Sequence, residues 1–233
     1  MAIDLRFAKK GKDEPRDGVV QQGKFHAALA EKHAAPLAEC GWPSPRTANL
    51  KALIGTLESR TSIQADARGA ARGAAGAESA AVLTAKAFLR RLRYALPEVL
   101  RESLVAGVSA ESFEAGGKLG YSAPRIVGYL NKIAGAVEKL DEPLRPFFKN
   151  QKASELLRGV RDALSDADAA QELTLAGVPE ETLKVYEAKG RLVEAIEDLN
   201  RIAAIAFDGD AELRGQFNKD ILSRARKARK KAA

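Results

Sequence analysis

With 233 residues, 45 % of them hydrophobic and 30 % charged, the chain carries enough apolar material for a real core and too much to be globally disordered. Its single cysteine, Cys40, excludes an internal disulfide framework and any CxxC or Cys/His zinc module. The first twenty residues hold no signal-peptide core, and no run approaches the ~20 apolar residues of a membrane span, so a reducing, cytoplasmic setting is expected.

The net charge of +7 is unevenly spread. Lys and Arg outnumber Asp and Glu by 17 to 11 from Met1 to Ala110, are outnumbered 15 to 20 from Glu111 to Ser223, and stand 6 to none from Arg224 onward. A basic first half and a basic tail therefore bracket an acidic second half. The two halves can neutralise each other, which leaves the tail as the unbalanced cluster. Helix formers fill the chain, aromatics are only 6 %, and β-branched runs are scarce, so the class is read as all-α.

Residues 1–18 are polar, broken by Gly11, Pro15 and Gly18, and read as a loose arm ahead of a helical bundle over 19–222. A first helix is predicted from about Val20 to Cys40, with Phe25, Leu29 and Leu37 as its larger apolar residues and the Gly41–Pro45 turn as its stop. Ser44 then reads as an N-cap with Pro45 in the first helical position, and Leu50, Leu53, Ile54 and Leu57 stripe the second helix. Gly69, Gly73 and Gly76 suit either a close approach of two helices or a turn; at about 1 kcal/mol per glycine relative to Ala, the turn over 67–77 is favoured.

The third helix, from about Glu78 to Ala106, is the most regular. Val82, Ala85, Leu89, Leu92, Leu96 and Val99 step by three and four like a bundle seam, with Pro97 set to kink it. Lys86, Arg90, Arg93 and Arg101 follow one flank of that seam. The glycine-rich break after Ala106 is where the bundle would divide into two sub-bundles, near 107–123. A fourth helix from about Pro124 carries Ile126, Leu130, Ile133, Val137, Leu140 and Leu144.

A fifth helix is predicted from about Lys152 to Leu175. Gly177 and Pro179 stop it before a sixth that runs to about Phe207, with Glu180 and Glu181 in its first turn. The last helix follows the Asp208-Gly209-Asp210 turn and packs through Leu213, Phe217, Ile221 and Leu222. Beyond Leu222 no large apolar residue remains, so 223–233 is expected to leave the core as a basic tail. Six or seven helices joined by short turns imply an antiparallel bundle.

No catalytic residue, metal or cofactor is assigned. His26 and His33 are seven residues apart, about 10.5 Å of helical rise, too far to share one ion, and no Glu-x-x-His pair is present. Asp208, Asp210 and Glu212 imitate the start of a calcium loop but fail at Leu213 and Lys219; Asp166 and Asp168 fail at Gln171. The Gly116–Gly120 stretch lacks Walker spacing, and neither GxGxxG nor Gly-x-Ser-x-Gly occurs. Trp42, Tyr121, Tyr129, Phe147 and Phe148 lie near breaks and read as plugs of the bundle ends, or as the lining of a pocket.

Two cationic elements carry the functional expectation. One is the tail: Arg224, Arg226, Lys227, Arg229, Lys230 and Lys231. The other is the stripe Lys86, Arg90, Arg93 and Arg101. Six tail cations on duplex DNA would give a log–log salt slope of about −5, and nothing interleaves them with aromatics, so binding would be blind to sequence. Lys and Arg at a helix C-terminus also complement the helix dipole with no partner at all. The expectation is a non-catalytic scaffold or interaction protein that self-associates or joins another helical protein, and docks through its tail on nucleic acid or an acidic protein partner. The other reading is a bundle with an internal pocket for a small ligand, or an enzyme of unrecognised type; almost wholly aliphatic seams favour the first.

Overall fold

The computed structural model describes residues 2–102 and 107–232. Its α-helices are α1 (Leu5–Lys12), α2 (Arg16–Lys32), α3 (Ala34–Glu39), α4 (Ser44–Glu102), α5 (Ala123–Lys139), α6 (Asp141–Leu144), α7 (Ala153–Ala206), α8 (Ala211–Gln216) and α9 (Asp220–Ala232), with short 3-10 turns at Ala110–Phe113 and Arg145–Phe148. No strand occurs among the described residues, and the chain is all-α. It forms two compact units. The first combines residues up to Arg68 with those from Gly177 onward, and the second is Gly69–Ala176.

The division thus crosses α4 and α7 instead of falling near 107–123, which lies wholly inside the second unit. Residues 67–77 are helical, within α4, and not a turn. Gly69, Gly73 and Gly76 have no described atom within 4 Å of where a Cβ would stand, so they serve no close helix approach among the described residues either. Ala70, Ala71, Ala74, Ala75 and Ala77 supply the propensity that offsets the three glycines. Pro179 likewise does not stop its helix: it lies inside α7, on an exposed face. The carbonyl it cannot serve belongs to Leu175, itself 46 % exposed, where water can satisfy it. The third helix's expected end at Ala106 lies outside the described residues.

In the first unit, α2 and α4 run antiparallel, marked by Lys24–Glu58 at 2.8 Å and Lys51–Glu31 at 2.5 Å. Val19, Leu29, Leu50, Ile54 and Leu57 pack with Val185, Leu192, Ile196 and Leu199 of α7, and Phe207, Phe217 and Leu222 complete this core. Trp42 plugs its end, its indole N–H donating to Thr47 Oγ1 at 3.0 Å. Residues 5–12, expected within a loose arm, form α1 and lie on α7. Gly11 meets the backbone at Tyr186 and Gly190, and Lys10 bridges Glu194 and Glu197. Small residues let the two backbones touch where no periodic apolar pattern announced it.

In the second unit the α5 seam is buried as predicted, whereas on α4 Phe88 and Ala95 take the core places expected for Leu89 and Leu96, which are only partly buried and turn toward a groove. Val82, Ala85, Phe88, Leu92, Ala95 and Val99 of α4 pack with Ile126, Leu130, Ile133 and Val137 of α5 and with Leu157 and Leu164 of α7. Phe148 closes this core against Phe88, ring centroids 5.4 Å apart. Asp141 caps the start of α7, accepting from the Ser154 amide at 2.8 Å and its hydroxyl at 2.5 Å.

Candidate functional site

The predicted tail stays packed through Leu222, Ala225 and Arg226, and is exposed from Lys227 to Lys231. From Asp220 onward it is helix α9, which packs on α2: Leu222 is fully buried, its amide donates to Gln22 Oε1 at 3.1 Å, and Ala225 sits so close to Gly18 that a Cβ there would lie 2.5 Å from the Ala225 Cβ. A small residue facing a glycine packs as closely as a large one in a wider gap, so the absence of large side chains past Leu222 does not release the helix.

Docking divides the six tail cations. Arg226 makes a two-pronged pair with Glu14, its Nε and Nη2 donating at 2.8 and 2.5 Å, and Arg229 Nη1 donates to the Asp13 carbonyl oxygen at 2.9 Å. Both are committed to the α1–α2 link. At 3.6 residues per turn, Arg224, Lys227, Lys230 and Lys231 fall within about 120° of arc, opposite Leu222, Ala225 and Arg229. None of these four pairs with a carboxylate among the described residues; Arg224 Nε reaches only the Asp220 carbonyl of its own helix, at 3.4 Å.

Beneath the link lies Lys189, only 5 % exposed. Its ammonium donates to the Glu14 carbonyl oxygen at 2.8 Å and approaches that of Lys12 at 3.4 Å. Burial, followed by repulsion from Arg229, depresses its pKa to about 8, against the attraction of Glu14 and Asp13. Beside α9 a second buried polar group crosses the core. His26 lies between Gln22 and Asn200, with Nε2 2.6 Å from Asn200 Oδ1 and Nδ1 3.0 Å from Gln22 Nε2. A neutral ring protonated at Nε2 donates to Asn200 and accepts from the Gln22 amide, with the Gln22 carbonyl oxygen also 3.0 Å from Nδ1, and burial lowers the ring's pKa. Gln22 also donates to the Asn218 carbonyl at 3.0 Å, so this network fastens the turn into α9.

The stripe on α4 lies in the second unit, where Lys86, Arg90 and Arg93 border a groove of about 990 Å³. Leu89, Leu92, Leu96 and Leu100 line it from α4, and Phe113 and Leu119 from the segment before α5. That segment is pinned: the Tyr129 hydroxyl donates to the Phe113 carbonyl oxygen at 2.5 Å, and Lys132 Nζ to that of Glu114 at 2.7 Å. Lys118 adds a fourth cation, and Lys86 Nζ stands 3.0 Å from the centroid of the exposed Tyr121 ring. Arg101, further along α4, is exposed and outside the groove lining.

Of the residues named as plugs, Trp42 and Phe148 are plugs, whereas Tyr129 belongs to the groove. Asp210 is an N-cap, accepting from the Glu212 and Leu213 amides at 3.1 and 2.9 Å. Two polar anchors escaped the sequence reading, Glu14 and Lys189. Lys189 had a signal: extending the seam Leu192, Ile196, Leu199 backward by three and four lands on Lys189 and Val185, a lysine in a core register. The chain matches no family model, no curated protein and no solved structure.

Proposed function

We propose that this protein is a non-catalytic helical scaffold that docks on a polyanion, nucleic acid foremost, through the outward face of α9. What supports this is the sorting of the tail. Arg226 and Arg229 turn inward and fasten the helix, and Arg224, Lys227, Lys230 and Lys231 stand together on its far side with no carboxylate partner among the described residues. A preformed row of cations meets phosphates without first ordering a disordered tail, an entropic cost a flexible segment would bear on binding. Such contacts are made to the backbone of the polymer and read no base.

Four engaged cations, instead of six, set the log–log salt slope on duplex DNA near −3.6. Fluorescence anisotropy of labelled duplex DNA and RNA across a salt series tests this. Replacing Arg224, Lys227, Lys230 and Lys231 together by Gln should remove most of the affinity and most of the slope. Arg226→Gln with Arg229→Gln should loosen the helix and leave the slope mostly in place. A protein that binds neither polymer at low salt, or whose slope survives the quadruple change, would sink the reading.

A further inference from the structure

We infer that the groove of the second unit is a binding site for a long-chain fatty carboxylate, held head-first at the Lys86 end. Along α4 the described lining of the groove runs from Lys86, Arg90 and Arg93 to Leu96, Pro97 and Leu100, cations at one end and apolar residues at the other; the Tyr121 ring stands over Lys86, Lys118 adds a cation, and Ala110 and Phe113 add apolar lining from the segment before α5. Among the described residues no Asp or Glu lines it, and Arg90, Arg93 and Lys118 have no carboxylate partner. An occupant that matches this lining must carry negative charge at one end and hydrocarbon along the rest.

Shape narrows the class further. Leu89, Leu92, Leu96 and Leu100 form one row along α4, and from Lys86 to Leu100 the helix rises about 21 Å, the reach of an extended acyl chain and not of a compact anion. The opposite wall is held to α5 by Tyr129 and Lys132, so the groove is largely formed before any ligand arrives. Guanidinium groups at Arg90 and Arg93 suit a carboxylate in particular, whose two oxygens their paired N–H donors can match. This site is independent of the α9 surface, which lies in the other unit.

Isothermal titration of the full chain with oleate, kept below its aggregation concentration, and with oleyl alcohol provides the test. Oleate should saturate at one per chain, and oleyl alcohol should bind at least about tenfold more weakly for want of a head group that accepts charged hydrogen bonds. The exposed pair Arg90→Gln with Arg93→Gln should weaken oleate by about tenfold and leave the alcohol unchanged. Leu96→Glu, which places a negative charge in the apolar half, should abolish binding of both, with circular dichroism confirming that the helices persist. Absence of saturable oleate binding overturns the inference, as does oleate binding that the arginine pair does not alter. Tight binding of an acidic amphipathic peptide in place of oleate overturns it as well, in favour of a protein partner.

Discussion

Gly11 and Gly190 meet with no room for a methyl group on either side. A Cβ on Gly11 would lie 2.0 Å from the Tyr186 carbonyl oxygen, and one on Gly190 would lie 2.0 Å from that of Phe7. Both obstacles are backbone, which cannot rotate away, so α1 and α7 must separate to admit either side chain. Gly190→Ala is therefore expected to destabilise the first unit by about 1–3 kcal/mol, even though alanine is the better helix former by about 1 kcal/mol. Gly73→Ala makes the opposite change: no described atom lies within 4 Å of its Cβ position, and the substitution should stabilise α4 by up to about 1 kcal/mol. Chemical denaturation of both variants reads the two signs directly. Equal effects would mean that α1 does not rest on α7.

Lys189 couples the same region to alkaline pH. Its folded pKa of about 8 lies below the ordinary 10.5, so between those values the unfolded chain holds a proton that the folded chain has released. Stability contributed by this group accordingly rises with pH from about 8 to 10.5 and is lowest below 8. Lys189→Met should remove that rise. At neutral pH it should change stability by no more than about 1–2 kcal/mol, because shedding a buried charge offsets the lost bonds to the α1–α2 link. Denaturation midpoints of wild type and variant over the alkaline range give the measurement, and parallel curves would refute it.

His26 responds on the acid side. Burial holds its pKa below 6.5, so as pH falls beneath 6.5 the unfolded chain takes up a proton that the folded chain resists. Stability is therefore full above 6.5 and declines as pH drops toward the folded value. Thermal midpoints followed through this range should fall more steeply for wild type than for His26→Gln. Because His26 and Gln22 fasten the turn into α9, amide exchange near Leu222 should quicken over the same interval. Exchange that is indifferent to pH, after correction for its intrinsic rate, would separate the histidine from the tail.

Much of the second unit was legible because its core residues repeat. From Ile126 to Leu144 burial follows the three-four spacing residue for residue, and from Val82 to Val99 it does so with the register moved by one at two places, Phe88 for Leu89 and Ala95 for Leu96. The first unit was harder, since its decisive contacts have no period. Gly11 with Gly190 and Gly18 with Ala225 are close approaches between residues far apart in the chain, and a missing side chain leaves no hydrophobic signature. Local costs misled at Gly73 and Pro179, where neighbouring alanines or solvent exposure outweighed them. The cations of the tail were visible as composition, but their division was not. Separating Arg226 from Lys227 requires knowing that Glu14 waits at the other end of the sequence.

The discontinuity of the first unit bears on how the chain folds as it is made. Residues 69–176 are consecutive, so the second unit can close as soon as it emerges from the ribosome, whereas α2 must wait for Leu192, Ile196 and finally α9. At roughly 5–20 residues per second, that delay is on the order of ten seconds or more. Throughout it Val19, Leu29, Leu50 and Leu57 lack half their partners, within reach of chaperones and of neighbouring nascent chains. Synthesis speed over α5 to α7 thus sets how long these side chains stay uncovered.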